Sequence, residues 1–242
     1  MNNPTVTLTY DDGSQMSSSQ IQVTFLDHMG DDNTVVDAAR VSFDKHSGCY
    51  TAEQNRRLIT HLGKHGHISP FGHCFASFRV KAPVFVARQL VKHKFLRWNE
   101  ISRRYVDSEP EFYVPDTWRG RSEDKKQGSS GEVDVRGFTL QFAVIGENTI
   151  PHAEGRFNRH ALSFYEDLLE HGVAPEQARM VLPQSTMTEW VWSGSLDAFA
   201  SMCNLRCKED TQYESRVVAD KIDERMRDLF PLSWEALRET DK

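Results

Sequence analysis

Arg88, Lys92, Lys94, Arg97, Arg103 and Arg104 place six cations within the 18 residues of Arg88–Tyr105, with His93 among them and Glu100 as the opposing charge. The chain as a whole carries a net charge of -6, so this local excess of positive charge points to a bound anion. A phosphate-bearing ligand fits best, because several cations and backbone N–H groups can share its charge. The bland alternative is a solvated helix face, which is what most charge runs are. Two features weigh against it: Lys92-His93-Lys94 sits where an apolar helix should end, and Asn99-Glu100-Ile101-Ser102 adds small polar groups suited to a specific ligand. Phe95, Trp98 and Tyr105 interleave with the cations, a pattern that also suits single-stranded nucleic acid, with bases stacking on rings. The acidic balance and the lack of a second basic stripe count against that reading, so no nucleic-acid partner is expected.

Two other clusters invite a metal. His61, His65, His67 and His73 put four histidines in a 13-residue stretch, but no well-spaced carboxylate or cysteine completes a typical zinc site. Cys49, Cys74, Cys203 and Cys207 form no CxxC pair, and Cys203 and Cys207 lie one helical turn apart without a second pair. No metal is expected, and the cysteines read as reduced thiols of a cytoplasmic protein.

The 242 residues suffice for a sizeable core without disulfide or metal staples. No apolar run approaches the length of a membrane span, and Met1–Thr7 lacks the regions of a signal peptide. Thr5–Tyr10 and Ile21–Leu26 alternate around the turn chemistry of Asp11–Ser14 and read as a hairpin. Val35–Phe43 reads as a short helix or turn. Thr51 and Gln54 form a capping box for a helix that presents Leu58 and Leu62 and ends at Gly63 and Gly66. Cys74–Lys81 reads as a strand with Ala76, Phe78 and Val80 on one side, and Pro83 opens a helix from Val84 to about Lys94. Arg119–Gly137, rich in charge, Gly and Ser, reads as a polar loop or insertion. Further helices are expected over about Arg156–His171, from Pro175 through Arg179, from Ser195, and over Thr211–Leu229 with Pro231 as the stop. Thr186–Ser193 reads as a strand with Thr188, Trp190 and Trp192 on one face, the two tryptophans as core or interface rather than cofactor-stacking groups. The elements mix without strict βαβ alternation, which predicts an α+β fold: a single domain over residues 1–242, with a mixed or antiparallel sheet flanked by helices.

The cationic segment resembles the flavin-dependent thymidylate synthases. That family carries an Arg-His-Arg triplet followed seven residues later by Ser, within an Asn-Glu-x-Ser-x-Arg-Tyr pattern. Here the triplet is Lys92-His93-Lys94, and Asn99, Glu100, Ser102, Arg104 and Tyr105 match the pattern. Val86-Ala87-Arg88-Gln89, Asp37–Ser42, His67–His73, Ala178–Pro183, Asn204-Leu205-Arg206, Gln212–Arg216 and the closing Phe230-Pro231-Leu232 and Trp234-Glu235-Ala236 are similar to its other motifs, in the family's order. The resemblance implies a homotetramer with sites at subunit interfaces. It also implies FAD, NADPH and methylenetetrahydrofolate, and reductive methylation of dUMP to dTMP in the cytoplasm, a host's cytoplasm if the gene is a phage's.

By the same resemblance Gln89, Lys92, Glu100, Ser102, Arg104, Arg179 and Arg206 form the nucleotide site. Ser102, Arg104 and Arg179 suit the phosphate, and Arg206 suits the uracil ring and the negative charge that develops on it. Arg206, His67 and Ser102 stand as the catalytic set, Ser102 with a binding role because a lone hydroxyl is a weak nucleophile. Ser42, Ser69, Lys92, His93, Lys94, Glu100, Ser195 and Ser201 are implied to hold the flavin, with His67 near the flavin or folate. Three positions depart from the family: Lys at both ends of the triplet, Gly72 where Glu is usual, and Ser193–Asp197 in place of a segment usually carrying Asn and Arg. Two further readings stay open. A 5-hydroxymethylase of dUMP or dCMP would hydrate the methylene intermediate instead of reducing it. A non-enzymatic nucleotide or single-strand binder would use the same cations.

Overall fold

Alternation of apolar and polar residues makes the strands here, and capped amphipathic runs make the helices. In the computed structural model, which describes residues 6–9, 15–106, 108–123, 129–133 and 153–238, the architecture is α+β. The chain divides into two compact units. One holds Met1–Ile21, Lys81–Arg88 and Ile101–Glu189; the other holds Gln22–Val80, Gln89–Glu100 and Trp190–Lys242.

In the first unit β1 (Val6–Thr9) pairs antiparallel with β2 (Gln15–Ser18). The expected hairpin therefore exists, but its second arm is β2 rather than Ile21–Leu26, because the shorter connection costs less to close. The turn at Asp11–Ser14 lies outside the described residues. Most of α3 (Val84–Leu90) belongs to this unit, as do α4 (Ala153–Glu170) and α5 (Pro175–Ala178), the last followed by a 3-10 turn at Arg179–Val181. Ala161 and Tyr165 are buried apolar side chains of α4, alongside buried Asn158, with Leu162, Leu168 and Leu169 half-buried beside them. Lys81 and Glu111 form a half-buried ion pair at 2.7 Å. The segment expected as a loop at 119–137 carries, where it is described, a short antiparallel ribbon of β6 (Arg119–Arg121) and β7 (Ser129–Glu132) with a bulge between Arg119 and Gly120. Its polar composition hid the pairing, because a ribbon open to solvent needs no apolar alternation. Residues 124–128 and 134–137 lie outside the described residues.

The second unit is built on α1 (Asp32–Arg40) and α2 (Ala52–Lys64), on strands of a four-stranded sheet, and on α6 (Leu196–Arg206), α7 (Tyr213–Leu229) and α8 (Pro231–Leu237). The sheet runs β3 (Gln22–Met29), β4 (Phe75–Pro83), β8 (Met187–Ser195), β5 (Leu96–Glu100). Asp31 caps α1 and Thr51 caps α2, each in a reciprocal capping box with the residue three positions on. Gly63 does not end α2, which runs to Lys64. A Cβ there would lie 2.4 Å from the Ala236 carbonyl oxygen, so glycine is what lets α2 meet α8 closely. Gly66, at φ +68°, makes the reversal after the helix. Ala76, Phe78 and Val80 on β4 and Trp190 and Trp192 on β8 are buried, together with Phe199, Ile222, Met226 and Trp234 from the helices and Phe230 at the junction of α7 and α8. Each such large side chain contributes roughly 1.5–3 kcal/mol on burial. Pro231 does more than stop α7: it occupies the first turn of α8, where its missing N–H costs nothing. The carboxylate of Asp32 accepts from the N–H groups of Leu232 at 3.0 Å and Ser233 at 2.8 Å, capping α8 from 200 residues away.

Candidate functional site

The helix expected from Val84 to Lys94 stops at Leu90, and the cations after it form a turn. Phe95 adopts φ 64°, a left-handed conformation that costs a non-glycine residue about 1–3 kcal/mol. From there Leu96–Glu100 runs as β5 against β8, Leu96 opposite Gly194 and Glu100 opposite Trp190. A Cβ on Gly194 would meet Leu96 Cδ2 at 2.4 Å, so glycine permits this pairing. Trp98 stacks on Trp190, centroids 4.2 Å apart and planes at 18°. This strand was not expected, since a five-residue segment with a charged, mostly exposed face carries little local signal.

The turn and the outer side of α6 enclose an open groove of about 740 Å³ within the second unit. Lys92, His93, Lys94 and Phe95 line it from the turn, and Asp197, Ser201, Asn204 and Arg206 from α6, with Lys208 just beyond. Arg206, the last residue of α6, donates its Nε–H to His93 Nε2 at 2.9 Å. Burial, and next the Arg206 guanidinium, push the His93 imidazole down from 6.5 to about 4, so the ring is neutral near pH 7. Burial also lowers the Arg206 guanidinium from its ordinary value. The His93 ring lies 6.4 Å from that of Trp192, which the core holds at 1% exposure. No ion pair engages Lys92, Lys94, Arg206 or Lys208 among the described residues.

Of the expected site residues, the groove thus gathers Lys92, His93, Lys94, Ser201 and Arg206. Others share the second unit without lining it. Gln89 accepts from the buried Ser215 hydroxyl through Oε1, and Glu100 accepts from Trp98 Nε1–H at 3.0 Å. Exposed Ser42 donates to the Ala39 carbonyl at 3.4 Å. Ser69 opens a 3-10 turn, Ser195 is the N-cap residue of α6 without a side-chain cap bond, and exposed His67 has its ring 6.1 Å from His61. Ser102, Arg104 and Arg179 belong to the first unit. There Arg104 donates through Nε to Ser102 Oγ at 3.2 Å and lies over the Tyr105 ring at 5.0 Å, while Arg179 is exposed.

Two of the departures meet in space: a Cβ at Gly72 would lie 3.9 Å from Asp197 Oδ1, a buried oxygen with no hydrogen-bond partner among the described residues. Asp197, Asn204 and Lys208 were not among the expected binding residues. Arg206 was the available signal for all three, because on or next to a helix they lie within three turns of it. Cys203, Cys207 and Asp223 offer ligand atoms within 4.8 Å of one another. Burial raises the Cys203 thiol well above its ordinary range, and Asp223 is held by Trp234 at 3.0 Å and Arg238 at 2.6 Å. All four cysteines are free. No helix among the described residues is long and apolar enough to cross a membrane.

A family model described as thymidylate synthase complementing protein matches residues 24–232. The chain is 38% identical over 217 residues to a flavin-dependent thymidylate synthase of Thermus thermophilus, covering 90% of this chain and 75% of the relative. It is 37% identical over 211 residues to one of Thermosipho africanus, covering 87% and 88%. Among solved structures it is similar to a UMP/dUMP methylase, PolB, from Streptomyces cacaoi bound with 5-Br dUMP, at TM-score 0.75 and 30% identity over 90% of this chain and 95% of that one.

Proposed function

The chain belongs to the flavin-dependent thymidylate synthase family, and we propose that it converts dUMP to dTMP, with FAD as cofactor, methylenetetrahydrofolate as one-carbon donor and NADPH as reductant. The observation that carries this reading is the groove in which Arg206 and neutral His93 share a hydrogen bond and which Lys92, Lys94 and Lys208 also line. That donor set fits a flavin nucleotide: cations for its phosphates, a flat neutral imidazole for its ring, and Ser201 as a hydroxyl partner. When bound, the flavin supplies the hydride that completes the methyl group. Arg206 hydrogen-bonds the uracil carbonyls and stabilises the negative charge that forms on the ring when it is attacked. Arg104 and Arg179 offer guanidinium forks for the nucleotide phosphate, and the Ser102 hydroxyl holds the first of them. Gln89 and Glu100 belong to the nucleotide's contacts, with Ser42, Ser69 and Ser195 toward the flavin and His67 toward the flavin or folate.

The reading includes a homotetramer in the cytoplasm, where its nucleotide and folate substrates are found. Val41, Phe43, Phe95 and Met180, each more than 70% exposed, are apolar surface that assembly would cover. The test is mass spectrometry of the nucleotide product after incubation with dUMP, UMP or dCMP, each with methylenetetrahydrofolate, FAD and NADPH. A methylated uracil nucleotide requiring FAD and NADPH is expected. A hydroxymethylated product formed without reductant would replace the reading with base hydroxymethylation. No product from any of the three would leave a binding protein.

A further inference from the structure

Arg206 sits at the C-terminal end of α6, on a side chain with several rotatable bonds. A guanidinium that must meet a flat ring in one orientation is worth most when something else fixes it beforehand. His93 has the geometry to do so. Its backbone N–H bonds to the Leu90 carbonyl at 3.1 Å, and its ring lies beside Trp192, so the imidazole is itself held by the core. Its Nε2 receives Arg206 Nε–H at 2.9 Å, which requires a neutral ring with the proton on Nδ1. With Nε engaged, the four N–H groups on Nη1 and Nη2 remain for the groove that Arg206 lines.

We propose that His93 is a positioning residue, a neutral imidazole acceptor that orients the Arg206 guanidinium toward the nucleotide base. The inference rests on Arg206 acting on that base. The charged and titratable groups lining the groove around the pair are Lys92 and Lys94 on the turn, Asp197 on α6 and Lys208 beyond it. Burial first, and the Arg206 guanidinium next, keep protonation of the ring unfavourable, and a protonated ring could not accept the bond.

The test compares His93→Gln, which keeps an acceptor, with His93→Leu, which does not, in the full chain. FAD affinity is measured by fluorescence titration, apart from turnover of dUMP. At saturating FAD, His93→Leu is expected to lower kcat by about tenfold or more, over and above any loss of FAD affinity, and His93→Gln to recover most of that kcat. In histidine-labelled protein the His93 imidazole, followed by NMR, is expected to titrate far below 6.5, and in Arg206→Gln to move back toward it. If the glutamine variant is no better than the leucine variant and the loss lies wholly in FAD affinity, His93 is only a flavin contact; the inference falls while the role of Arg206 stands. An ordinary titration of His93 in the unaltered protein would mean the pair does not form, and overturns the inference even if a variant fails to fold. Full activity in Arg206→Gln would remove the reading of Arg206 and the inference together.

Discussion

Two corners of the second unit handle charge in opposite ways. Where α7 meets α8, the Asp223 carboxylate receives Arg238 Nε–H at 2.6 Å, Arg227 at 2.9 Å and Trp234 Nε1–H at 3.0 Å, and Arg238 also donates to Asn204. Asp32 completes the corner by capping α8. Along the groove, Lys92, Lys94, Lys208 and Arg206 have no carboxylate partner among the described residues, and the one bond that Arg206 makes is to a neutral ring. The first corner spends its cations internally and gains stability, because leaving one partner of a buried pair unmatched is costly. The second leaves its cations without carboxylate partners among the described residues. Asn204 touches both: its Nδ2 donates to the Leu237 carbonyl at 2.9 Å while the residue also lines the groove.

The contrast is sharpest if function and stability separate on substitution. Arg206→Ala should lower kcat by about a hundredfold or more while thermal unfolding stays close to that of the unaltered protein. Unfolding without loss of activity in the folded fraction would put Arg206 in the structural class. Asp223→Ala should do the reverse, costing about 2–3 kcal/mol in denaturant unfolding, since Arg238, at 16% exposure, is left without its carboxylate. Asp32→Ala, which uncaps α8, should cost about 1–2 kcal/mol by the same measurement. Lys92→Arg, restoring the planar fork, should tighten FAD or nucleotide binding a few-fold in fluorescence titration, and an unchanged affinity would show that charge alone is used there.

A pH series sharpens the comparison further. His93 titrates near 4 in the folded protein and near 6.5 when unfolded, so between those values the unfolded chain binds more protons. Its contribution is fully present above pH 6.5 and is lost as pH falls toward 4. The melting temperature should decline over that window, and His93→Gln should flatten part of the decline. An identical slope in the variant would place the acid sensitivity elsewhere.

Local signals carried far where the physics is local. Thr51 with Gln54, the alternation around Phe78, and the Trp190 and Trp192 face each depend on neighbours a few residues away, and each stands in the structure as the chain implies. Gly63 misled because its purpose is a close approach to Ala236, far along the chain. β5 was invisible because its pairing with β8 supplies what its own residues lack. The adjacency of Gly72 and Asp197 joins two departures that had no visible connection in the sequence.

By itself the amino-acid sequence determined the cationic, aromatic character of the segment around His93, the α+β mixture of elements and, through ordered motifs, the family. Those depend on residue type and short spacing. Tertiary structure alone decided that His93 and Arg206, 113 residues apart, share one hydrogen bond, that burial keeps His93 neutral near pH 7, and which cations stay without carboxylates among the described residues. Protonation and pairing depend on burial and on distances through space, and neither is written in the order of residues along the chain.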